Sequence, residues 1–425
     1  MNICVIGLGK IGLPLAVHFA RKGHKVIGVD INELTIELVN RGLEPFPKEE
    51  YLQEYLSEVV SAGRLVATNN TSRAVASSEV VVVVVPLFVG KDAKADFVVM
   101  DSVTEEIANG IEPGTLISYE TTLPIGTTRE RFLPILEKIS GLKVGSDFNL
   151  VYSPERVLTG RIFSDLKRYP KIVGGITPNC TERGRDFYQE VIEFDKREDL
   201  PKPNGVWLMD SCESAEFVKL AETTYRDVNI GLANQFSKFA ISRNLDINDI
   251  IIAANSQPFS NIHTPGISVG GHCIPIYPQF YLSSDPSATL VAAARKTNDG
   301  MPEFYVSLLE RAIGDLRGKS VLVMGVAYRE KVKETAFSGA FALKDSLMSK
   351  GAIPYFVDPL YENNELYELG FRPFEAETSD LIEAVIIHTA HQEFLCFELE
   401  ALSRVQFLID GRNLLRKISD PQINR

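Results

Sequence analysis

No stretch of this sequence is long and apolar enough to cross a bilayer. The longest apolar run, Val80 to Val89, is about half the ~20 residues a spanning helix needs, and Pro86 interrupts it. The chain also lacks any surplus of positive charge, with 44 Lys and Arg against 56 Asp and Glu and a net charge of -12. An acidic chain without a basic block is a poor partner for DNA, RNA or an anionic membrane. None of these is expected as a ligand, and any anion it binds must meet local cations or helix N-termini. Cysteine is scarce: Cys4, Cys180, Cys212, Cys273 and Cys396 are odd in number and widely spaced, with no CxxC pair. That argues against a disulfide framework or a zinc site and for a reducing compartment. The six histidines contain no HExxH, so no metal site is expected. Low-complexity tracts and short tandem repeats are absent. The first twenty residues resemble a signal peptide but lack a basic n-region, and the protein is expected to be cytoplasmic.

What is present is an ordinary globular composition, 45% hydrophobic and 24% charged over 425 residues. At ~150 residues per domain that suggests three domains. Ile3-Cys4-Val5-Ile6 reads as a buried strand, Gly7, Gly9 and Gly12 as a turn, Leu13 to Lys22 as a helix, and Lys25 to Asp30 as the next strand. Val80 to Val85 is continuous in apolar residues, as in a sheet covered on both faces. Thr115–Ser118, Asn149–Tyr152 and Ile172–Gly175 continue the series. The turn-rich Leu200–Gly205 marks a boundary. From Ser211 to Asn244 there is no proline and only Gly231, and apolar residues recur at helical spacing, so one long helix is expected. Strand signals return at Ser320–Met324, Ala352–Asp358, Val385–His388 and Phe407–Asp410. The expected architecture is α/β: two Rossmann-like doubly wound domains, 1–200 and 315–425, joined by a central helical domain, 201–314, with one long helix.

Four motifs carry chemistry. In Gly7-Leu8-Gly9-Lys10-Ile11-Gly12, the first glycine permits a tight turn. The second admits a pyrophosphate to backbone N–H groups at a helix N-terminus, and the third lets helix pack on strand. Asp30, 18 residues after Gly12, would bind the ribose hydroxyls and favour NAD over NADP. Gly270-Gly271-His272-Cys273-Ile274-Pro275 is a shaped loop that opens space around a sulfur. A cysteine beside bound NAD suggests a thiohemiacetal that a second hydride transfer converts to a thioester. Lys219, Thr223 and Arg226 fall on one stripe of the long helix. Glu120 to Thr127, with Thr122, and Tyr152 to Arg156, with Glu155, lie at expected carboxyl ends of strands, where open α/β sheets bind ligands.

Together these residues resemble the nucleotide-sugar 6-dehydrogenase family over nearly the whole chain. The specific signals are SPERVLTG from Ser153, KLAETTYRDVNI from Lys219, PGISVGGHCIP from Pro265 and FLIDGRNLL from Phe407. The resemblance implies NAD as cofactor, a nucleotide sugar as substrate and a homodimer built on the long helix. It implies Cys273 as nucleophile, Lys219 as oxyanion stabiliser, Glu155 in acid/base and water activation, and Thr122 and Thr223 at the reacting centre. Gly7, Gly9, Lys10, Ile11, Gly12, Asp30, Pro86 and Thr122 are expected at the cofactor. Glu155, Arg156, Val157, Leu158, Lys219, Arg226, Gly270 and Arg329 are expected at the substrate.

Departures are also visible. Tyr277 replaces the family's aspartate four residues after the cysteine, and Thr223 its frequent asparagine. Phe259 stands where relatives often place an arginine, and Thr159 where UDP-glucose relatives place a second glutamate. The Glu334–Ser338 run lacks the family's arginine. The expected reaction is oxidation of a nucleotide-sugar C6 hydroxymethyl to the uronic acid in two hydride transfers. RDVNI and the HTPG loop lean toward N-acetylhexosamines. UDP-glucose, a dTDP- or GDP-sugar, a single-step β-hydroxyacid dehydrogenase and a non-catalytic sugar sensor are the alternatives.

Overall fold

In the computed structural model, residues 1–46, 49–90, 94–399 and 402–415 are described. Strand β1 (Asn2–Ile6) turns at Gly7 into helix α1 (Gly12–Arg21), and the chain returns as β2 (Lys25–Val29) parallel to β1. Then follow β3 (Leu65–Thr68), β4 (Val80–Val83), β5 (Leu116–Tyr119), β6 (Asn149–Tyr152), β7 (Lys171–Gly175) and β8 (Val206–Met209). All eight form one sheet in the order β8-β7-β6-β5-β4-β1-β2-β3. From β3 to β6 every pairing is parallel, which is the strand order of a dinucleotide-binding sheet. Strand β7 breaks the pattern. It runs antiparallel to β6, with Tyr152 opposite Gly174, and β8 then lies parallel to β7. The start of β7 therefore lies at the edge where β5 and β6 end.

The sheet is covered on both faces. Ile3, Val5, Val80, Val82, Leu116 and Val151 enter one core, and Cys4, Ile6, Val81, Val83, Ile117 and Leu150 enter the other. This explains why Val80 to Val83 is unbroken in apolar residues: each valine is fully buried, worth roughly 1.5–3 kcal/mol apiece. Helix α2 (Pro178–Val191) packs on one face through Phe187 and Tyr188.

Helix α3 (Cys212–Ser242) is the long helix, 31 residues and about 46 Å. The Ser211 hydroxyl accepts the Ser214 N–H at 3.1 Å and caps its start, and the positive φ of Asn244 follows its end. The chain forms two compact units, Met1–Glu222 and Thr223–Arg425, each described by itself below.

In the second unit, helices α4 (Thr289–Asp299) and α5 (Met301–Ile313) precede a second sheet. Its strands are β9 (Ser320–Met324), β10 (Ile353–Val357), β11 (Ile382–Ile387) and β12 (Phe407–Asp410), with α6 (Gly339–Ser349) between β9 and β10. The order is β10-β9-β11-β12, all parallel. Alternate residues again divide between two cores: Val321, Val323, Ala384 and Ile386 on one face, Leu322, Met324, Val385 and Ile387 on the other. Among the described residues, no helix is long and apolar enough to cross a membrane.

Candidate active site

The glycine turn of the first unit is built to leave one opening. Gly7 has φ +93°, and a Cβ there would lie 3.1 Å from the Val84 carbonyl. A Cβ on Gly12 would lie 1.8 Å from the Gly7 oxygen, so that residue must be glycine for α1 to sit on β1. Gly9 differs: a Cβ there would meet nothing within 4 Å, and the residue faces outward at the start of α1. Lys10 is exposed and Ile11 half-buried beside it. Asp30 follows β2. Its Oδ2 accepts the Leu8 N–H at 2.8 Å and its Oδ1 the Asn32 N–H at 2.9 Å. The carboxylate is thus fixed but still half-exposed. An open Gly9 and an oriented acid at the next strand end fit a dinucleotide.

The carboxyl ends of β4 and β5 are tied together, because the Thr121 hydroxyl donates to the Val85 carbonyl at 2.6 Å. Pro86 is exposed just past β4, and Thr122 is buried just past β5. The loop after Thr122 is anchored to α3. Glu216 accepts from Gly126 N–H (2.6 Å), Thr128 N–H (2.9 Å) and the Thr128 hydroxyl (2.6 Å). Half-buried Lys219 lies three residues on from Glu216, on the same helical face. The turn that carries Lys219 and the loop that carries Thr122 are thereby held together.

Glu155 lies past β6 in a buried cluster that the sequence does not announce. Lys171 Nζ, at the start of β7, is 2.8 Å from Glu155 Oε2 and 2.7 Å from Glu120 Oε2. The Tyr188 hydroxyl of α2 donates to Glu120 at 2.6 Å and is 2.7 Å from the Ser118 hydroxyl. The other Glu155 oxygen accepts the N–H groups of Arg156 (2.7 Å) and Val157 (3.2 Å). Burial pushes the Glu120 carboxyl up. Burial works against charge on Glu155 too, but the Lys171 ammonium outweighs it and holds that carboxyl below its usual range. Lys171 is raised because two carboxylates outweigh its own burial. The following loop is pinned by its backbone: Leu158 N–H on Asp165 (3.0 Å), Gly160 and Ile162 N–H on Glu49 (2.5 and 2.7 Å). The Arg156 guanidinium pairs with Glu222 at 2.9 Å, and Leu158 is exposed.

In the second unit Cys273 is a free, exposed thiol on a loop clasped by the second sheet. Ile267 N–H donates to Gly411 O (3.2 Å), Gly271 N–H to Ala336 O (2.9 Å), and His272 Nε2 is 2.5 Å from Glu334 Oε1. Arg412 donates to the Ser268 carbonyl and hydroxyl, both at 3.1 Å, and the Ser268 hydroxyl is 3.0 Å from buried His388 Nε2. Gly270 and Gly271 are required by this packing. A Cβ on Gly270 would lie 2.8 Å from Tyr328 Cβ, and one on Gly271 2.9 Å from the Tyr328 ring. The Cys273 carbonyl then accepts Tyr277 N–H at 2.9 Å as the next helix starts.

A buried polar chain reaches the same loop from α3 and α4. Arg295 pairs with Asp227 at 2.5 Å, Asn298 donates to Asp227 at 2.8 Å, Asn234 donates to Asn298 at 2.8 Å, and Asn234 accepts Gly266 N–H at 2.9 Å. Thr223 is buried and Arg226 exposed on α3, and Arg329 is exposed after β9, 3.1 Å from the Tyr328 hydroxyl.

The turn after β9 contrasts with the one after β1. Asp358, past β10, accepts the N–H groups of Val326 (2.7 Å), Ala327 (2.8 Å) and Leu360 (2.9 Å), and His391 lies 3.2 Å from it. It is buried, yet His391 and the amides hold its carboxyl below the usual range.

Thus the first unit gathers Thr122, Glu155 and Lys219 with the glycine turn, and the second gathers Gly270, Cys273 and Arg329. Among the described residues, no group of three or more His, Cys, Asp and Glu side chains is placed to hold a metal ion.

Three profiles of one family match the chain in order. These are the NAD binding domain of the UDP-glucose/GDP-mannose dehydrogenase family over residues 1–192, its central domain over 213–300, and its UDP binding domain over 322–417. A UDP-N-acetyl-D-mannosamine dehydrogenase of Pyrococcus horikoshii is 32% identical over 98% of this chain and 96% of its own length. The solved UDP-N-acetyl-mannosamine dehydrogenase Cap5O of Staphylococcus aureus superposes with TM-score 0.82 at 31% identity, covering 98% of this chain and 96% of that one. An NDP-N-acetyl-D-galactosaminuronic acid dehydrogenase of Methanosarcina mazei superposes with TM-score 0.83 at 27% identity, over 97% and 91% of the two chains.

Proposed function

The chain belongs to the UDP-glucose/GDP-mannose dehydrogenase family, an NAD-dependent dehydrogenase family acting on nucleotide sugars, and from that premise we propose that it oxidises the C6 hydroxymethyl of UDP-N-acetyl-D-mannosamine to the uronic acid in two steps on one cysteine. The relatives named above support the choice of sugar over UDP-glucose. The observation that carries the mechanism is the thiol itself. Cys273 is exposed on a loop that Gly270 and Gly271 let the second sheet shape, whereas a merely structural cysteine would be packed away.

NAD, when bound, supplies the hydride acceptor for both oxidations. Gly9 leaves room for its diphosphate and Asp30 takes the ribose hydroxyls; Pro86 and Thr122 line the same strand ends. A base or bound water takes the alcohol proton. The Cys273 thiolate adds to the resulting aldehyde, and Lys219 is assigned to stabilise the oxyanion. Such a donor contributes about 3–4 kcal/mol to the transition state. Loss of a second hydride leaves a thioester, and Glu155, held as a carboxylate, takes a proton from the water that hydrolyses it. In sum, one alcohol, two NAD and one water give one carboxylate, two NADH and three protons. Thr223 is assigned with Thr122 to the reacting centre, the sugar nucleotide to Arg156, Val157, Leu158, Arg226, Gly270 and Arg329, and a second copy of the chain to a homodimer on α3.

The test is stoichiometric. Two NADH are expected per UDP-N-acetyl-D-mannosamine consumed. Cys273→Ser should abolish net uronate formation while binding NAD as the wild type does. A wild-type ratio of one NADH per sugar would remove the cysteine from the reaction.

A further inference from the structure

The reversal of β7 has a chemical result. Its antiparallel register with β6 pairs Tyr152 with Gly174, and continuing that register sets Glu155 opposite Lys171. A parallel strand would have carried the lysine to the far edge of the sheet. Glu120 arrives from the end of the neighbouring β5. One ammonium therefore sits between two carboxylates, 2.7 and 2.8 Å away, all three side chains at most 10% exposed. With both acids ionised the cluster would hold an uncompensated negative charge out of water, which is costly. With one acid protonated the cluster is neutral.

The two carboxylates are not equivalent. Glu155 also accepts two backbone N–H groups, while Glu120 accepts, among the described residues, the neutral Tyr188 hydroxyl besides the shared lysine, and a side-chain hydrogen bond links the two carboxyls. Direct N–H donors favour the ionised form. We propose that Lys171 and Glu120 are positioning residues for Glu155: the lysine orients and ionises Glu155, and Glu120 carries the one proton of the cluster. The groups facing Glu155 are Lys171 from β7, Glu120 from β5, and the Arg156 and Val157 amides of its own loop; Tyr188 from α2 stands behind Glu120. The directions of ionisation agree, with Glu120 pushed up by burial and Glu155 held down by Lys171. The inference rests on the reading of Glu155 as the group that activates water, which the experiment tests separately.

The experiment titrates the side-chain carboxyl carbons of carbon-13 glutamate-labelled protein, with Glu155→Gln and Glu120→Gln as assignments. The pH profile of kcat with NAD and UDP-N-acetyl-D-mannosamine is measured alongside. Removing an opposite charge at hydrogen-bond distance moves a carboxylate by roughly 1–3 pH units. Lys171→Met should therefore raise the Glu155 midpoint by at least about one unit, and Lys171→Arg should restore most of the shift. Glu120→Gln mimics the protonated acid and should leave the Glu155 midpoint in place. An unmoved midpoint in Lys171→Met, or a fall of about one unit or more in Glu120→Gln, overturns the proposal. Should Lys171→Met not fold, Lys171→Gln and the Glu120 arm decide the matter. If the carbon-13 midpoint moves but the acid limb of kcat does not follow, the positioning stands and the water-activating role of Glu155 falls.

Discussion

Two glycines three residues apart should fail in opposite ways. Gly12→Ala would put a carbon 1.8 Å from the Gly7 oxygen, where ordinary contact is roughly 3.5 Å. Because the obstacle is backbone, α1 and the end of β1 must part by more than 1 Å or so. Overpacking of this kind costs about 1–3 kcal/mol, and the depth of the clash points to the upper end. For a unit of this size, each kcal/mol lowers Tm by roughly 2–4 °C, so the expected fall is about 6–12 °C. Gly9→Ala meets no atom within 4 Å, and Gly9 is not among the positive-φ residues. Its Tm should hold or rise slightly, since alanine restricts the unfolded chain by about 0.4–1 kcal/mol. On the proposed seating of the diphosphate at this turn its methyl group intrudes there, and NAD affinity should fall at least tenfold, about 1.4 kcal/mol. Scanning calorimetry of the free protein and titration calorimetry with NAD separate the two effects. A Gly12→Ala protein that melts with the wild type, or a Gly9→Ala protein that binds NAD equally well, would refute the account of the turn.

Two other perturbations bear on the second unit. Arg295→Met strands the buried Asp227 carboxylate, and losing one partner of such a pair costs about 3–5 kcal/mol; an unchanged denaturant midpoint would show the pair to be idle. His388 is held at about 3 by burial, with Arg412 adding to it, so it stays neutral in the folded protein while the unfolded chain titrates near 6.5. Its contribution is full above pH 6.5 and is lost as pH falls, by about 1.4 kcal/mol per unit, or ~2.7 kcal/mol at pH 4.5. His388→Gln lacks that slope, so its stability deficit in urea melts should narrow between pH 7 and pH 4.5. A constant deficit would contradict a neutral, buried imidazole.

Much of the fold is legible because it rests on local pattern. The valine run, the glycine turn and the proline-free stretch before Asn244 each obey a short-range rule, and β6, β9 and β12 have the expected bounds. Strand β11 begins at Ile382, three residues before the expected Val385, because Glu383 breaks the apolar run. Strands β3 and β8 carry little signal: each has four residues, β8 is half-buried throughout, and Val66 of β3 is 52% exposed. β8 directly follows the turn-rich 200–205 stretch that reads as a boundary, so the first sheet extends past residue 200. At the site, the cysteine loop is recognisable from its glycines, but its partners Glu334, Ala336 and Arg412 lie 62 or more residues away. Lys171 is the clearest omission. Nothing near it in sequence tells that β7 runs backwards, and a lysine heading an apolar strand reads as an ordinary edge residue.

The carboxylate lodged in the turn after β9 has a kinetic consequence. Asp358 already occupies the amides of Val326 and Ala327 as a built-in counter-ligand, where Asp30 of the first sheet holds that of Leu8. Any anion seeking those two amides must first displace it. An anion arriving there competes with a carboxylate tethered at high effective concentration, so its docking is slowed and weakened accordingly.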